Sequence, residues 1–290
     1  MTVARTPDGF QRGASARELE MCGRYTNRAA PEELSEHFGL PIRSPAGTGR
    51  FNIAPTEKVL CIVAPSGERE ARMLRWGLVP QWAKDLRTGP LMINARLETV
   101  SSKPAFRALL PHARRRALQI ADGYFEWLKP ERKGQRPQPF LFEVDGGAPF
   151  AFASLWTQAH IGGEDVESVV MLTRDASANP LAAAIHDRMP VILADAEAQR
   201  AWLDPALDAE AALSLCDPLP DSRLCARPVN RALNRRGVRE DRQLLDPEGR
   251  AAGGVDAPAA PPGFDAPGTP PGVDPPAAPP GLDAHHPPRP

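Results

Sequence analysis

The amino-acid sequence predicts an α+β fold in which a few helices flank an antiparallel, barrel-like β core. Strand signals outnumber helix signals, and most strand segments are short and bounded by Gly, Pro or Asp. Strands and helices do not alternate regularly, which argues against a doubly wound parallel sheet. The chain has 290 residues, of which 42% are hydrophobic, so it is long and apolar enough to bury a core in one or two domains.

Six segments carry the strand signal, because each is a short run rich in apolar, β-branched or aromatic residues. In chain order they are residues 59–63, 118–121, 140–144, 150–155, 169–173 and 190–193. Three further segments are predicted to be helical. Residues 31–38 begin with a proline and are followed by Gly39, residues 195–203 begin with a capping Asp, and a third helix is expected at 205–215.

The two ends of the chain differ in composition from the middle. Residues 251–290 hold 13 of the 34 prolines and repeat with a period of nine, and they have too few apolar residues to offset the entropy of ordering. We therefore expect a disordered, proline-rich tail. Residues 1–20 have no periodic apolar pattern and are expected to be a leader or a misassigned start, which leaves residues 21–250 as the folded domain.

Charge and composition exclude several classes of protein. The 35 Lys and Arg residues nearly balance the 36 Asp and Glu residues, so the chain is not a histone-like polycation. Residues 101–136 nevertheless carry nine Lys or Arg against three acidic residues, an excess that could face a polyanion. The sequence contains neither a run of eighteen apolar residues nor a signal-peptide core, which predicts a soluble, cytoplasmic protein.

The cysteine pattern bounds the chemistry further. The four cysteines, Cys22, Cys61, Cys216 and Cys225, form no CxxC pair. They are too few to staple a chain of this length and lack the spacing of a zinc site, so we expect neither a disulfide framework nor a bound metal. A cysteine with a function would act as a thiol.

Six segments combine reactive or polar residues with rigid surroundings in a way that packing alone does not require. They are Met21-Cys22-Gly23-Arg24, Asn52-Ile53-Ala54-Pro55, Arg75-Trp76-Gly77-Leu78-Val79-Pro80, Asn94-Ala95-Arg96-Leu97-Glu98-Thr99, Ala121-Asp122-Gly123-Tyr124-Phe125-Glu126-Trp127 and His186-Asp187-Arg188-Met189-Pro190. Taken singly, each has an ordinary structural explanation: Cys22 as a small buried residue, Glu126 as the outward residue of a strand, and His186 as a hydrogen-bonded structural histidine. Tryptophans 76 and 82 would by default belong to the core.

Taken together and in this order, the six segments resemble the SOS response-associated peptidase family, whose members are also called abasic site processing proteins. The resemblance runs from Met21 to about Pro247, and the segment 228–234 only approximates the family pattern. It implies a protein that recognises an abasic site in single-stranded DNA and joins itself covalently to that site through an N-terminal cysteine. The implied catalytic residues are Cys22, Asn94, Glu126 and His186. The implied DNA contacts are Arg24, Trp76, Trp82, Arg96, Thr173 and Arg188, and no metal or organic cofactor is required.

The chemistry of an abasic sugar supports this assignment independently. Its open form presents an aldehyde, for which an uncharged amine is the best protein nucleophile. An α-amino group with a pKa of about 7.7–8.0 is about one-third neutral near pH 7.5, whereas a lysine is only about 0.1% neutral. A terminal cysteine adds a thiol that closes a thiazolidine ring on the resulting imine. Glu126 and His186 are then expected to move protons, with aromatic neighbours raising the pKa of the Glu126 carboxyl.

Cys22 is not the first residue of the chain, which leaves two interpretations. Either translation starts at Met21, whose removal exposes Cys22, or residues 1–21 are a propeptide that the protein cuts off itself. Two other functions stay open. The chain could be a cysteine peptidase with Cys22 as nucleophile and His186 as base, or a non-catalytic single-stranded DNA-binding protein in which Cys22 only packs. A monomer is expected, and the sequence identifies no protein partner.

Overall fold

The computed structural model describes residues 22–247, apart from residues 44, 87–90, 131, 133, 236, 237, 239 and 240. The predicted leader at 1–20 and the predicted tail at 251–290 lie outside the described residues, so both stay predictions. None of the helices in the described part of the chain has the length and apolar content needed to cross a lipid bilayer.

Within the described residues, β-structure dominates, with thirteen strands and four α-helices. The strands are β1 (Arg24–Asn27), β2 (Arg50–Ile53), β3 (Lys58–Val63), β4 (Glu70–Trp76), β5 (Asn94–Arg96), β6 (Arg116–Ala121), β7 (Gly123–Leu128), β8 (Gln138–Val144), β9 (Phe150–Ile161), β10 (Glu164–Asp175), β11 (Arg188–Pro190), β12 (Ile192–Leu193) and β13 (Leu224–Pro228). The helices are α1 (Pro31–Phe38), α2 (Pro180–Ala183), α3 (Ala196–Trp202) and α4 (Ala209–Ser214).

Five of the strands close into a barrel. Their order is β10, β4, β3, β6 and β9, and β9 pairs back with β10 through the hairpin that joins them. The barrel strands run antiparallel except for β4 and β10, which pair in parallel with Arg75 opposite Ser168. A second sheet, antiparallel throughout, has the order β13, β8, β7, β1 and β2. The predicted fold class is confirmed.

Side-chain alternation along the barrel strands separates two packing surfaces. On β3, Leu60 and Ile62 belong to the main hydrophobic core, together with Leu34 of α1 and Trp202 of α3. Cys61, between them on β3, faces the other way. Helix α1 begins at a proline, whose fixed φ suits a first helical turn, and it ends where Gly39 adopts a left-handed φ of 63°.

The second sheet carries a smaller core on the face that points away from the barrel. Its buried members are Phe125, Leu141, Val229, Leu233, Leu244 and Leu245. On the opposite face, Tyr124 meets Phe152 of the barrel strand β9. The segment 228–234, which only approximates the family pattern, contributes Val229 and Leu233 to this core. Asn230 caps the turn that follows it by accepting a hydrogen bond from the Ala232 N–H at 2.8 Å.

Most of the predicted elements are confirmed, and two are corrected. Five predicted strands correspond to β3, β6, β8, β9 and β10, and two predicted helices correspond to α1 and α3. The predicted strand at 190–193 is two short strands, because β11 pairs with β10 and β12 pairs with β9. The helix predicted at 205–215 begins only at Ala209, because Asp208 caps it by accepting a hydrogen bond from the Ala211 N–H at 2.8 Å.

Candidate active site

Strand pairing gathers the four predicted catalytic residues in one place. β1 pairs antiparallel with β7, which brings Cys22, just before β1, into contact with Glu126 of β7. β5 begins at Asn94 and pairs in parallel with β10. β11 begins at Arg188 and pairs with the end of the same strand, so that His186, two residues earlier, reaches this region as well.

Cys22 is almost entirely buried, with 2% of its surface exposed. Its thiol and its backbone N–H both lie against the Glu126 carboxyl group, and its carbonyl oxygen accepts a hydrogen bond from Asn94 Nδ2 at 3.4 Å. Burial, and then the neighbouring Glu126, raise the pKa of the thiol well above its ordinary value, while the charge of Arg188 opposes the shift. The thiol is therefore protonated at neutral pH.

Glu126 has the properties of an acid–base group. Only 3% of its surface is exposed, and burial raises the pKa of its carboxyl to about 8, with the hydrogen bonds from Cys22 opposing that shift and the charge of Asp187 adding to it. A carboxyl with this pKa can accept or release a proton near neutral pH. Its Oε1 is buried and has no hydrogen-bond partner among the described residues, which leaves an acceptor for a bound molecule.

His186 is held in one tautomer by its own chain. It is 8% exposed, and its Nδ1 accepts a hydrogen bond from the Arg188 backbone N–H at 3.1 Å. The neutral imidazole therefore carries its proton on Nε2 and enters the site as a donor. Asp187 Oδ1 lies 3.2 Å from the same Nδ1 and can accept a hydrogen bond from it only when Nδ1 carries a proton.

Arg188 is held by Glu98, a residue of the segment 94–99 for which the sequence predicted no role. The two side chains form a bidentate pair, with Nη1 and Nη2 of Arg188 donating to the carboxylate at 2.7 and 3.0 Å, and Nη2 also donates to the Thr173 carbonyl oxygen at 2.8 Å. Partial burial opposes the shift, but hydrogen bonds from Arg188 and from the Asp175 N–H lower the pKa of Glu98 to about 2. The signal was present in the sequence, since Glu98 is part of the Asn-Ala-Arg-x-Glu-Thr segment.

A model of the SOS response associated peptidase (SRAP) family matches residues 21–236 of the chain. The chain belongs to this family. Among its relatives, the abasic site processing protein YoqW of Bacillus subtilis is 34% identical over 218 residues, which cover 74% of this chain and 94% of YoqW. The abasic site processing protein YedK of Escherichia coli is 32% identical over 222 residues, which cover 73% of this chain and 94% of YedK. A crystal structure of a protein from Bordetella bronchiseptica matches with a TM-score of 0.60 at 28% identity, over 72% of this chain and 100% of that one.

The two tryptophans that the family resemblance assigned to DNA lie in opposite environments. Trp76 occupies the core, as its default interpretation expected, and offers no exposed surface for the DNA contact that the resemblance implies. Its side chain is 0% exposed, donates from Nε1 to the Ile93 carbonyl oxygen at 3.0 Å and packs edge-on against Tyr25. Trp82 is 69% exposed. Of this pair, only Trp82 therefore has an exposed ring.

The remaining predicted DNA contacts also differ in how accessible they are. Arg96 is exposed at the end of β5. Arg24 is partly buried and donates from Nη1 to Asn52 Oδ1 at 2.7 Å. Thr173 is 0% exposed, and its hydroxyl accepts a hydrogen bond from Arg188 Nη2 at 3.3 Å. The prediction that Thr173 touches DNA directly is therefore wrong for this conformation, and its side chain contacts Arg188 instead.

Two further residues of the family segments hold the site together. Asp122 accepts hydrogen bonds from the Thr26 hydroxyl at 2.6 Å and from the Ala29 N–H at 3.1 Å, and it forms an ion pair with Arg28 at 3.0 Å. At Gly123, a Cβ atom would lie 2.9 Å from the Thr26 hydroxyl and 2.9 Å from Leu141, so a larger residue would push β1 away from β7. Asp122 and Gly123 share a sequence segment with Glu126, and their contacts show that they fix the positions of β1 and β7.

All four cysteines are free thiols. Cys61 and Cys216 are buried, and Cys225 is partly exposed. The residues that the structure describes contain no group of three His, Cys, Asp or Glu side chains able to hold a metal ion. Cys22 is distinguished from the other thiols by its contact with Glu126.

Proposed function

We propose that this chain recognises an abasic site in single-stranded DNA and bonds covalently to it through Cys22. The observation that carries the proposal is that one buried carboxyl, Glu126, lies against both the nitrogen and the sulfur of Cys22. These are the two atoms that a thiazolidine takes from a terminal cysteine. The names of the relatives, abasic site processing proteins, support the same substrate.

The proposed reaction conserves atoms without an external oxidant or reductant. The α-amine of Cys22 adds to the C1′ aldehyde of the open sugar, and the carbinolamine loses water to give an imine. The thiol then adds to the imine carbon, its proton moves to the nitrogen, and a five-membered ring results. Each step needs a proton delivered or removed close to Cys22, and Glu126 lies there with a pKa of about 8.

His186 and Asn94 have complementary tasks in this proposal. Because the proton of neutral His186 is on Nε2, the ring can donate to the sugar oxygen that is released when the aldehyde forms. Asn94 fixes the Cys22 backbone through its Nδ2, and its Oδ1 is buried without a partner in the described part of the chain. That oxygen can accept a hydrogen bond from the α-amine or from a sugar hydroxyl.

The amine exists only if the bond between Met21 and Cys22 is absent. Removal of Met21 after a start at that residue, or self-cleavage ahead of Cys22, would each expose it. Arg24 and Arg96 are proposed to contact phosphates, and Trp82 to stack on an unpaired base. The action of the chain as a cytoplasmic monomer without metal or organic cofactor stays a prediction of the sequence.

A peptidase that acts on other proteins fits the site less well. Such an enzyme needs a thiolate, and thiolates are favoured by a nearby cation or a protonated histidine that lowers the thiol pKa. Here burial and Glu126 raise the pKa of Cys22. A buried, protonated thiol beside a carboxyl suits addition to an imine, which needs the thiol only after the amine has reacted.

The test is denaturing electrophoresis after incubation with a single-stranded oligonucleotide that carries one abasic site. Protein that begins at Cys22 should form a complex that survives denaturation, and Cys22→Ala should form none. Cys225→Ala is the matched control, because Cys225 is the more exposed thiol and should be dispensable. Equal crosslinking by Cys22→Ala, or loss of crosslinking in Cys225→Ala, would contradict the proposal.

A further inference from the structure

A basic surface leads away from the candidate active site along residues 103–114. The chain between Thr99 and Ala121 contains five Lys or Arg residues and no Asp or Glu. Three of these cations, Lys103, Arg107 and Arg114, are exposed and form what we call the basic flank. The residues between them that are buried point into the protein, namely Phe106, Leu109, Leu110 and Ala113. The three cations therefore lie on the solvent side of this segment.

The first two cations of the basic flank are arranged to meet one strand of phosphates. The Arg107 N–H donates to the Lys103 carbonyl oxygen at 2.9 Å, as in a helical turn. Side chains four residues apart on such a turn are neighbours, at about 5–6 Å between their Cβ atoms. The side chains of Lys103 and Arg107 are therefore neighbours on the protein surface.

The charge of the basic flank is not neutralised within the described residues. None of its three side chains has an ion-pair partner there, whereas Arg72, Arg188 and Arg223 are each held by carboxylates. Arg115, beside the flank, lies 5.4 Å from the ring centre of Trp156. Burial and then the charge of Arg114 lower the pKa of Arg115, as expected where positive charge accumulates.

The basic flank is continuous with the candidate active site at one end. The Thr99 carbonyl oxygen accepts hydrogen bonds from the N–H groups of Ser102 and Lys103 at 3.0 and 3.1 Å, and Thr99 directly follows Glu98, the partner of Arg188. At the other end, Arg114 and His112 line a cleft of about 500 Å³. Its other walls are apolar or small residues, including Pro65, Pro111 and Leu203.

We propose that the basic flank binds the phosphates of single-stranded DNA to one side of the lesion, so that the bound strand continues from the active site over residues 103–114 toward this cleft. The inference rests on the proposed function, because that function supplies single-stranded DNA as the ligand. Cations contact phosphates regardless of base sequence. The basic flank therefore lengthens the bound strand and strengthens binding without selecting a sequence.

The test measures non-covalent binding of the full chain to undamaged single-stranded oligonucleotides of two lengths, about 5 and about 20 nucleotides, over a range of salt concentrations. Wild-type protein should bind the longer strand more tightly and with a steeper salt dependence. The triple variant Lys103→Ala, Arg107→Ala, Arg114→Ala should lose about tenfold or more in affinity for the longer strand. Its salt slope should fall by about 2, since each phosphate contact on a single strand contributes about 0.7. Binding of the short strand should not change.

Arg242→Ala is the matched control. Arg242 is exposed, and its neighbours Leu244 and Leu245 pack with Phe125 on the face of the second sheet that points away from the barrel. This variant should match wild type with both strands. An unchanged affinity of the triple variant for the longer strand, or an equal loss with both lengths, would overturn the extended path. Failure of wild-type protein to bind either strand would overturn the proposed function and this inference with it.

Discussion

Glu126 and Glu98 are two carboxylates beside the same His186–Arg188 segment, and the fold gives them opposite electrostatic environments. Glu126 is 3% exposed and touches no cation in the part of the chain that the structure describes, so burial raises its pKa to about 8. The side chain of Glu98 is 46% exposed and forms a bidentate ion pair with Arg188, so the pKa of Glu98 is lowered to about 2. A buried carboxyl without a cation exchanges protons near neutral pH, whereas a paired one is a permanent anion that fixes geometry.

The largest expected effect comes from removing the proton-exchanging carboxyl. Glu126→Gln keeps the shape of the side chain but cannot transfer a proton, so crosslinking should slow by about 10²- to 10⁴-fold. The α-amine of Cys22 also titrates at about pH 7.7–8.0, so the variant should keep that inflection in its rate and lose only the second one, which Glu126 adds near pH 8. The measurement is the single-turnover rate of crosslinking against pH. A variant rate equal to that of wild type would remove Glu126 from the proposed proton transfers.

The contrast between buried and exposed side chains extends to the two tryptophans. Trp76→Ala should destabilise the protein by about 3–5 kcal/mol, because it empties a fully buried site. Trp82→Ala should leave the unfolding temperature unchanged and weaken single-stranded DNA binding by about 1–3 kcal/mol, as expected for loss of one base stack. Thermal unfolding and fluorescence anisotropy measure the two effects. A stable Trp76→Ala protein with weakened DNA binding would reverse the assignment.

The dependence of stability on pH should have opposite signs for the two carboxyls. The raised pKa of Glu126 means that its contribution to stability is present below an ordinary carboxyl pKa of about 4.3 and is lost as the pH rises toward about 8. Glu126→Gln should therefore gain in melting temperature relative to wild type between pH 4 and about pH 9. Differential scanning calorimetry at several pH values provides the measurement.

For Glu98 the sign is reversed. Its lowered pKa means that stabilisation is present above about pH 4.3 and is lost as the pH falls toward about 2. Glu98→Gln should melt lower than wild type at pH 7, and the difference should shrink on acidification. The effect should be smaller than that at Glu126, because Glu98 is partly solvated. A difference that grows as the pH falls would refute the ion-pair account.

The smallest expected effect is that of the proline-rich tail. Deleting residues 251–290 should change neither the melting temperature nor the crosslinking rate, because the nine-residue repeats hold few apolar residues and lie beyond the segment that matches the family. Circular dichroism and the crosslinking assay check this expectation. A fall of several degrees in melting temperature would mean that the tail packs on the domain.

The sequence was informative about strands whose pattern is local and about the site residues that lie in distinctive segments. The predicted strand at 59–63 is an apolar run, and it forms β3. β1 was missed, and a strand at β7 was considered only as one explanation of Glu126, because the pattern of both strands is set by pairing between distant parts of the chain. Closure of the barrel depends on the pairing of β4 with β10, which no local pattern encodes.

The candidate site shows the same difference between features that a local sequence pattern predicts and features that depend on contacts between distant segments. The family segments singled out Cys22, Glu126 and His186, and the chemical roles that the resemblance implies for them stay predictions. The default placement of the tryptophans in the core holds for Trp76, which lies on the inward face of β4 and donates a hydrogen bond to Ile93, and fails for Trp82, which is 69% exposed. The partnership of Glu98 with Arg188 links segments about 90 residues apart, and it is visible only when β5 and β11 lie at the end of β10.

The most direct test of the central claim, that the α-amine and the thiol of Cys22 act together, is intact mass spectrometry of the product formed with an abasic oligonucleotide. Protein that begins at Cys22 should give an adduct that has lost one water, whereas protein with an extension that stays attached ahead of Cys22 should fold, bind the strand and form no adduct. An amide nitrogen is not a nucleophile, so no intermediate imine is available to the thiol. A stable adduct on protein that still carries residues 1–21 would contradict the role of the terminal amine.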